Sequence, residues 1–313
     1  MTQTLRLVFM GTPAFAVPSL QAVLAGGFEV AAVVTQPDRP QGRGQQLKFS
    51  PVKTEASARG ISVLQPRLKG QADILDNLRQ IKPDLILVVA FGQMLCREIL
   101  AIPSLGVLNV HASLLPRYRG AAPINWAIIN GEGETGVTIM WLVQKMDAGD
   151  IFLQEAEPIS SDDTAGTLGA RLAVKGARLL VEALHAVRVG NIIRTPQPSQ
   201  GITFAPVLTK EMQHLDFSRP AVELHRLIRG LDPKPGAFTY YQGKILKVFQ
   251  PELGASLPHR PPPGTVLQAT AAGVQVACGE GSLWLRELQL AGRKRLSALE
   301  FARGQKLTHM RLG

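Results

Sequence analysis

Along the first two-thirds of the chain, apolar residues fall into short, nearly unbroken runs separated by stretches where they recur every three or four positions. Leu5–Met10, Val30–Thr35, Asp84–Ala90, Gly106–Val110 and Val137–Leu142 are runs of the first kind, rich in Val, Ile and Leu. Their length and branching predict buried strands. Pro13–Ala25, Pro51–Arg59, Ala72–Gln80 and Ala122–Ile129 carry helical spacing. Thr12 as an N-cap, with Pro13 in the first turn, would start the first helix. Ala165–Val189 predicts a longer helix with Leu168, Leu172, Ala173, Leu179, Leu180, Ala183 and Leu184 on its apolar side. Strands alternating with helices predict an α/β fold, a Rossmann-like domain built on a largely parallel sheet covered on both faces.

The pattern changes after residue 189. Residues 190–206 hold Thr195-Pro196-Gln197-Pro198-Ser199-Gln200-Gly201 and read as a linker. One helix, Ala221–Arg229, is then followed by short strands at Ala237–Tyr241, Ile245–Phe249, Thr265–Gln268, Val274–Cys278 and Leu283–Leu288. Short strands with turn residues between them predict a small β-barrel, OB-like in its proportions. The expected organisation is a catalytic domain over 1–189, the linker over 190–206 and a barrel domain over 207–313. Pro258–Pro263 reads as a surface loop, and no internal repeat is present.

Composition narrows the class. With 313 residues, 45% of them apolar, the chain can bury two ordinary cores. Cys96 and Cys278 form neither a disulfide framework nor a metal-type spacing, so a reduced compartment and no metal are expected. The apolar start ends at Gly11-Thr12-Pro13 without a basic flank or cleavage-like site, which predicts a strand rather than a signal peptide. No apolar run reaches membrane-spanning length. A cytoplasmic protein, independent of membranes, is expected. Of the net charge of +10, the part after residue 204 carries +7, from 15 basic and 8 acidic residues. A basic surplus of that kind suits a polyanionic partner, because neutralised phosphates release counterions. A merely solubilising basic surface accounts for it as well.

The chemistry concentrates in Asn109-Val110-His111-Ala112-Ser113-Leu114-Leu115-Pro116. Asn109 and His111 are two apart at the end of a buried strand, so alternation puts both side chains on one side. The carboxyl end of a strand in an open parallel sheet is where ligands bind. A carboxamide donor beside an imidazole can stabilise an oxyanion and move a proton in acyl transfer. A structural Asn–His pair closing the strand is the plain alternative. Met146-Asp147-Ala148-Gly149-Asp150 follows the next strand, and either aspartate could orient His111. The same five residues are also ordinary turn chemistry. The first βα loop, Gly11-Thr12-Pro13, lacks both Gly-x-Gly-x-x-Gly and a P-loop, so a nicotinamide cofactor or a nucleoside triphosphate has little support. The Pro37–Lys53 connection holds Arg39, Arg43, Lys48 and Lys53 with Gly42 and Gly44. It is long for a βα loop and cationic, which suits phosphates or unpaired bases.

Several stretches, in order, resemble the methionyl-tRNA formyltransferases. They are Phe9-Met10-Gly11-Thr12-Pro13, Thr35-Gln36-Pro37-Asp38-Arg39-Pro40-Gln41-Gly42-Arg43-Gly44, Ser50-Pro51-Val52-Lys53, Ser113-Leu114-Leu115-Pro116 with Gly120-Ala121-Ala122-Pro123, and Glu134-Thr135-Gly136-Val137-Thr138-Ile139-Met140. Arg229-Gly230-Leu231-Asp232-Pro233 with Pro235-Gly236-Ala237 is similar to the second domain of that family. The Ser-Leu-Leu-Pro block marks the wider folate-dependent formyltransferases, and the Arg-rich loop and second domain narrow the resemblance to the tRNA enzymes.

The resemblance implies transfer of a formyl group from 10-formyltetrahydrofolate to initiator methionyl-tRNA by a monomer. It implies Asn109, His111 and Asp147 as the catalytic residues. Ser113, Leu114, Leu115 and Pro116 would bind tetrahydrofolate, with Val88–Leu95 lining the pterin pocket, and Arg43 would contact the tRNA acceptor end. The chain departs from the family at Met146 and Ala148, where Leu and Thr are expected around Asp147, and at Lys234, where Trp is common. A formyltransferase acting on a small amine would share the Asn–His pair and Ser-Leu-Leu-Pro without needing the basic loop. A non-catalytic RNA-binding protein would not need the triad.

Overall fold

The computed structural model describes residues 4–41, 46–66, 72–255, 259, 261–303, 307 and 310–313. The chain forms two compact units. Met1–Pro123, Glu134–Pro158 and Gly169–Ala205 make the first, and Ile124–Gly133, Ile159–Leu168 and Pro206–Gly313 the second.

The elements through residue 205 are β1 (Arg6–Gly11), α1 (Val17–Ala25), β2 (Glu29–Val34), β3 (Arg39–Gln41), β4 (Gln46–Lys48), α2 (Pro51–Ala58), β5 (Val63–Leu64), α3 (Ala72–Ile81), β6 (Leu85–Val89), α4 (Arg97–Leu100), β7 (Gly106–His111), β8 (Arg119–Gly120), α5 (Pro123–Ile129), β9 (Glu134–Trp141), β10 (Ile151–Pro158), α6 (Ala165–Arg188) and β11 (Phe204–Ala205). Seven strands form one sheet in the order β10-β9-β7-β6-β1-β2-β5. β5, β2, β1, β6 and β7 run parallel, whereas β9 is antiparallel to both its neighbours, β7 and β10. The unbroken apolar runs are explained by burial on both faces: Leu7, Val8, Phe9 and Met10 of β1 and all of β6 are buried. One face packs Val8, Met10, Ile86 and Val88 against Ile74 and Leu78 of α3 and Ile99 of α4. β10 was not legible in the apolar pattern, because an edge strand carrying Gln154, Glu155 and Glu157, the glutamates paired with Arg171, Lys175 and Arg178 of α6, lacks a continuous run.

Two local expectations are corrected. Thr12 does not cap a helix: Pro13 leads into a 3-10 turn, Ala14–Ala16, before α1. The Thr12 hydroxyl instead donates to Phe91 O (3.2 Å) and accepts from Gln36 N (3.3 Å), tying together the chain beyond β1, β2 and β6. Ser50 does act as an N-cap, accepting from Lys53 N at 3.1 Å ahead of Pro51. Of residues 190–206, expected as a linker, all through Ala205 belong to the first unit: Thr195 exchanges two backbone hydrogen bonds with Ile151, and β11 lies parallel to β8.

The second unit continues with α7 (Ala221–Leu231), β12 (Ala237–Tyr241), β13 (Lys244–Leu253), β14 (Val266–Thr270), β15 (Gly273–Ala277), β16 (Ser282–Leu290), β17 (Leu296–Ser297) and α8 (Ala298–Arg303). Its antiparallel sheet has the order β12-β13-β16-β15-β14, with β17 on β16. The tail joins the two edges as a small barrel requires. Met310 O accepts from Val266 N, Leu312 N donates to Gly264 O, and Gly313 N donates to Tyr240 O on β12. Leu224, Leu227, Ile228 and Leu231 of α7 fill the core against Val248, Val276, Leu283 and Leu285.

The Arg229-Gly230-Leu231-Asp232 motif explains why the second unit takes in earlier segments. Buried Arg229 donates through Nη1 to Ser160 O and Asp163 O. A Cβ at Gly230 would lie 2.5 Å from Ile129, and Asn125 Nδ2 donates to Gly230 O at 2.7 Å. Asp232 is paired with Arg295 at 3.3 Å. No helix among the described residues is long and apolar enough to cross a membrane.

His225 on α7 gives this unit an acid sensitivity. Burial, and then the charge of Arg229, push its imidazole down from 6.5 to about 4. The unfolded chain takes up a proton below pH 6.5 and the folded chain only below about pH 4. Stability is therefore unaffected by this group above pH 6.5 and falls as pH drops from there to about 4. The His225→Gln variant is expected to lose less stability than wild type across that window. Urea titrations of both proteins at pH 7 and pH 5 check it: equal losses would remove His225 from the acid response.

Candidate active site

Asn109 and His111 close β7, the last parallel strand of the sheet, and both are buried. Alternation sets them on the same face, roughly 7 Å apart along the strand. The ladders put Asn109 opposite Val88 on β6 and Met140 on β9, and His111 opposite Thr138. The Asn109 carboxamide makes no hydrogen bond among the described residues. His111 Nε2 lies 2.9 Å from Tyr118 O. A carbonyl only accepts, so Nε2 carries the hydrogen and the basic nitrogen of the neutral ring is Nδ1.

Nδ1 is 3.8 Å from Asp147 Oδ2. That is an ion-pair distance once the ring is protonated and too long for a hydrogen bond. The connection 142–150 after β9 supplies this carboxylate, and Gly120 N donates to the same oxygen at 2.8 Å. Asp147 itself sits at φ +46°, a left-handed conformation that a non-glycine residue holds only when its surroundings fix it. Asp150 is used differently, its carbonyl accepting from Trp141 N. Of the two aspartates left open by the spacing, Asp147 is the one whose carboxylate faces His111.

The Ser113–Pro116 segment is held from below by β9 and β10. Thr138 Oγ1 donates to Ser113 O (2.6 Å) and accepts from Leu115 N (3.2 Å), while Gln154 Nε2 donates to Leu115 O (3.0 Å). The Ser113 hydroxyl donates to Arg117 O, and Ser113 and Leu115 are buried. Of the four expected folate contacts, Leu114 and Pro116 keep partly exposed side chains. Gly136 lets Leu114 approach, since a Cβ there would lie 2.4 Å from Leu114 Cδ2. Sequence spacing gives neither Thr138 nor Gln154 a role of its own, because their partners lie more than fifteen residues away.

The Val88–Leu95 segment leaves the end of β6 beside β7. Ala90 (φ +47°) and Gly92 (φ +79°) turn the chain, and Gln36 Nε2 donates to Phe91 O at 3.0 Å. Gln93 Nε2 is buried without a partner. A buried amide donor left open is costly, and a heteroaromatic ring with nitrogen and oxygen acceptors would satisfy it. The site thus fits a folate: one orphan donor at the end of β6 and one unengaged carboxamide on β7. No group of His, Cys, Asp or Glu that could hold a metal ion occurs among the described residues.

The described parts of the cationic loop are paired. β3 and β4 pair as a small antiparallel hairpin, with Arg39 opposite Lys48. Lys53 is not a free cation: its Nζ pairs with Asp38 and Gln65, and Lys53 holds the Asp38 carboxyl below its usual range. Lys48 is exposed. Arg43 lies outside the described residues.

Residues 5–184 match the formyl transferase family, and residues 207–306 match the formyl transferase C-terminal domain. The methionyl-tRNA formyltransferase of Pelotomaculum thermopropionicum is 49% identical over 305 residues, covering 96% of either chain. That of Caldanaerobacter subterraneus is 46% identical over 304 residues, covering 97% of this chain and 98% of its own. Among solved structures, Aquifex aeolicus HypX in complex with tetrahydrofolic acid superposes with a TM-score of 0.67 at 18% identity, covering 96% of this chain and 47% of that one, a likeness of fold. At these identities over nearly the full length, the chain belongs to the methionyl-tRNA formyltransferases.

Proposed function

We propose that Asn109, His111 and Asp147 carry the transfer of a formyl group from 10-formyltetrahydrofolate to the α-amino group of initiator methionyl-tRNA. The observation that carries this reading is His111 held by Tyr118 O with its basic Nδ1 turned to Asp147 Oδ2, two residues along the strand from an unengaged Asn109. The neutral amine attacks the formyl carbon and a tetrahedral oxyanion forms. The Asn109 amide donates to that oxygen. His111 Nδ1 accepts the proton that the attacking nitrogen sheds, and the imidazolium is then paired with Asp147. Collapse breaks the carbon–N10 bond, and the proton returns to N10. Leu114, Pro116 and the backbone of Ser113–Pro116 border the folate, whose pterin takes the open Gln93 donor. A formylation assay with methionyl-tRNA beside small amine acceptors tests the reading. Formyl transfer to a small amine at an equal or greater kcat/KM would overturn the tRNA assignment.

The second unit, with its basic surplus, is assigned to the tRNA body and Arg43 to the acceptor end. Gly42 and Gly44 beside Arg43 suit a partner-shaped backbone, and the guanidinium can bind phosphate and stack on a base. Arg43→Ala is expected to raise the KM for methionyl-tRNA or lower kcat by about tenfold, the worth of one good charged contact, with folate affinity unchanged. Arg43→Lys should recover part of the loss, keeping charge without the planar surface. Steady-state kinetics with each substrate varied decide it: weakened folate binding with normal tRNA kinetics would move the loop to the folate site.

A further inference from the structure

The connection that places Asp147 is gripped by a side chain from the stretch expected to be a linker. Gln197 Nε2 donates to two carbonyls of that connection, Asp147 O at 2.8 Å and Gly149 O at 2.7 Å. Its Oε1 accepts twice from Arg119, from Nε at 3.1 Å and Nη2 at 2.6 Å. Arg119 is buried, and the next residue, Gly120, donates its N–H to the Asp147 carboxylate. One amide thus bridges a buried guanidinium and the backbone of the aspartate that faces His111.

Three features make this a built device rather than a surface contact. The guanidinium polarises the Gln197 amide, so the Nε2 donations are stronger than those of a neutral glutamine. Pro196 and Pro198 flank Gln197, fixing φ on either side and holding Gln197 extended. Thr195, two residues before Gln197, is bonded to Ile151 directly after Asp150, so the gripping segment and the gripped one share an anchor. What they hold is Asp147 in its left-handed conformation.

We propose that Gln197, backed by Arg119, is a positioning residue for formyl transfer, setting the approach of Asp147 to His111 without touching either substrate. The inference rests on the assignment of Asp147 to the mechanism. Gln197→Glu is the decisive variant, because it is isosteric and keeps a partner for Arg119, yet its second oxygen cannot donate to the two carbonyls. Misplacing a reacting group by about an ångström costs up to about a hundredfold. Gln197→Glu should therefore lower kcat about tenfold to a hundredfold, with the KM values for folate and methionyl-tRNA within about twofold of wild type. A packing role alone would leave this isostere at wild-type kcat.

The test is a double-mutant cycle with Asp147→Asn in the full-length enzyme, read by single-turnover formylation. Asp147→Asn alone should be slow, and adding Gln197→Glu should slow it little further, because both act through one carboxylate. A slow Asp147→Asn with a wild-type Gln197→Glu would overturn the positioning role and leave the Asp147 assignment standing. Full additivity of two slow variants would also overturn it. A wild-type Asp147→Asn would remove both assignments together.

Discussion

Replacing Asn109 with alanine is expected to slow formyl transfer by at least about a hundredfold, and His111→Ala by a similar factor, while both variants bind folate and methionyl-tRNA nearly as wild type. Losing one preorganised oxyanion donor costs on the order of 3 kcal/mol of transition-state stabilisation. Asn109 suits that role because the residue is largely buried at the end of β7 and its carboxamide is engaged by nothing else among the described residues. His111 differs in being fixed at one nitrogen by Tyr118 O, so alanine removes both the base and a buried donor. Single-turnover rates beside equilibrium titrations of the two substrates separate chemistry from binding. A variant that turns over near the wild-type rate loses its place in the mechanism.

The second large effect is structural. Gly149 is buried, and a Cβ built on it would lie 1.8 Å from Trp141 O, a backbone atom that cannot swing aside. Gly149→Ala must therefore push the 142–150 connection away from β9. Overpacking of this kind costs on the order of 3 kcal/mol, and at that cost the thermal midpoint falls by roughly 6–12 °C. The same displacement carries Asp147 with it, so kcat should drop further than the loss of folded protein explains. Thermal unfolding together with activity per folded molecule checks both parts. An alanine variant as stable and active as wild type would show that the connection relaxes freely and that its placement is not what sets the carboxylate.

The parallel half of the sheet was legible because strands buried on both faces leave unbroken Val, Ile and Leu runs, as in β1 and β6. Asn109 and His111 stood out for the same reason, as two polar residues closing such a run. What the sequence hid was whatever depends on distant partners. β10 buries only Phe152 and carries Gln154, Glu155 and Glu157 between its apolar residues, so it leaves no run. Thr12 had the look of a cap, yet it bonds a carbonyl 79 residues away. Lys53 looked like one more cation until Asp38 and Gln65 were found beside it. Gln197 sat between prolines in what read as punctuation, and its four hydrogen bonds span 48 to 78 residues. Spacing left Asp147 and Asp150 equivalent, because the choice depends on how the 142–150 connection folds back.

The make-up of the second unit also sets a schedule for the growing chain on the ribosome. Asn125 reaches its partner, the Gly230 carbonyl, across 105 residues. At ordinary rates of translation the later residue emerges roughly 5–20 s after the earlier one. Through that interval Ile129, which packs on the α7 core in the finished protein, has no α7 to cover it. Ser160 and Asp163 likewise wait for the Arg229 guanidinium. The nascent enzyme therefore passes through a stage in which its sheet can close while an apolar helix end stands bare, the kind of surface that trigger-type chaperones shield and that self-association exploits.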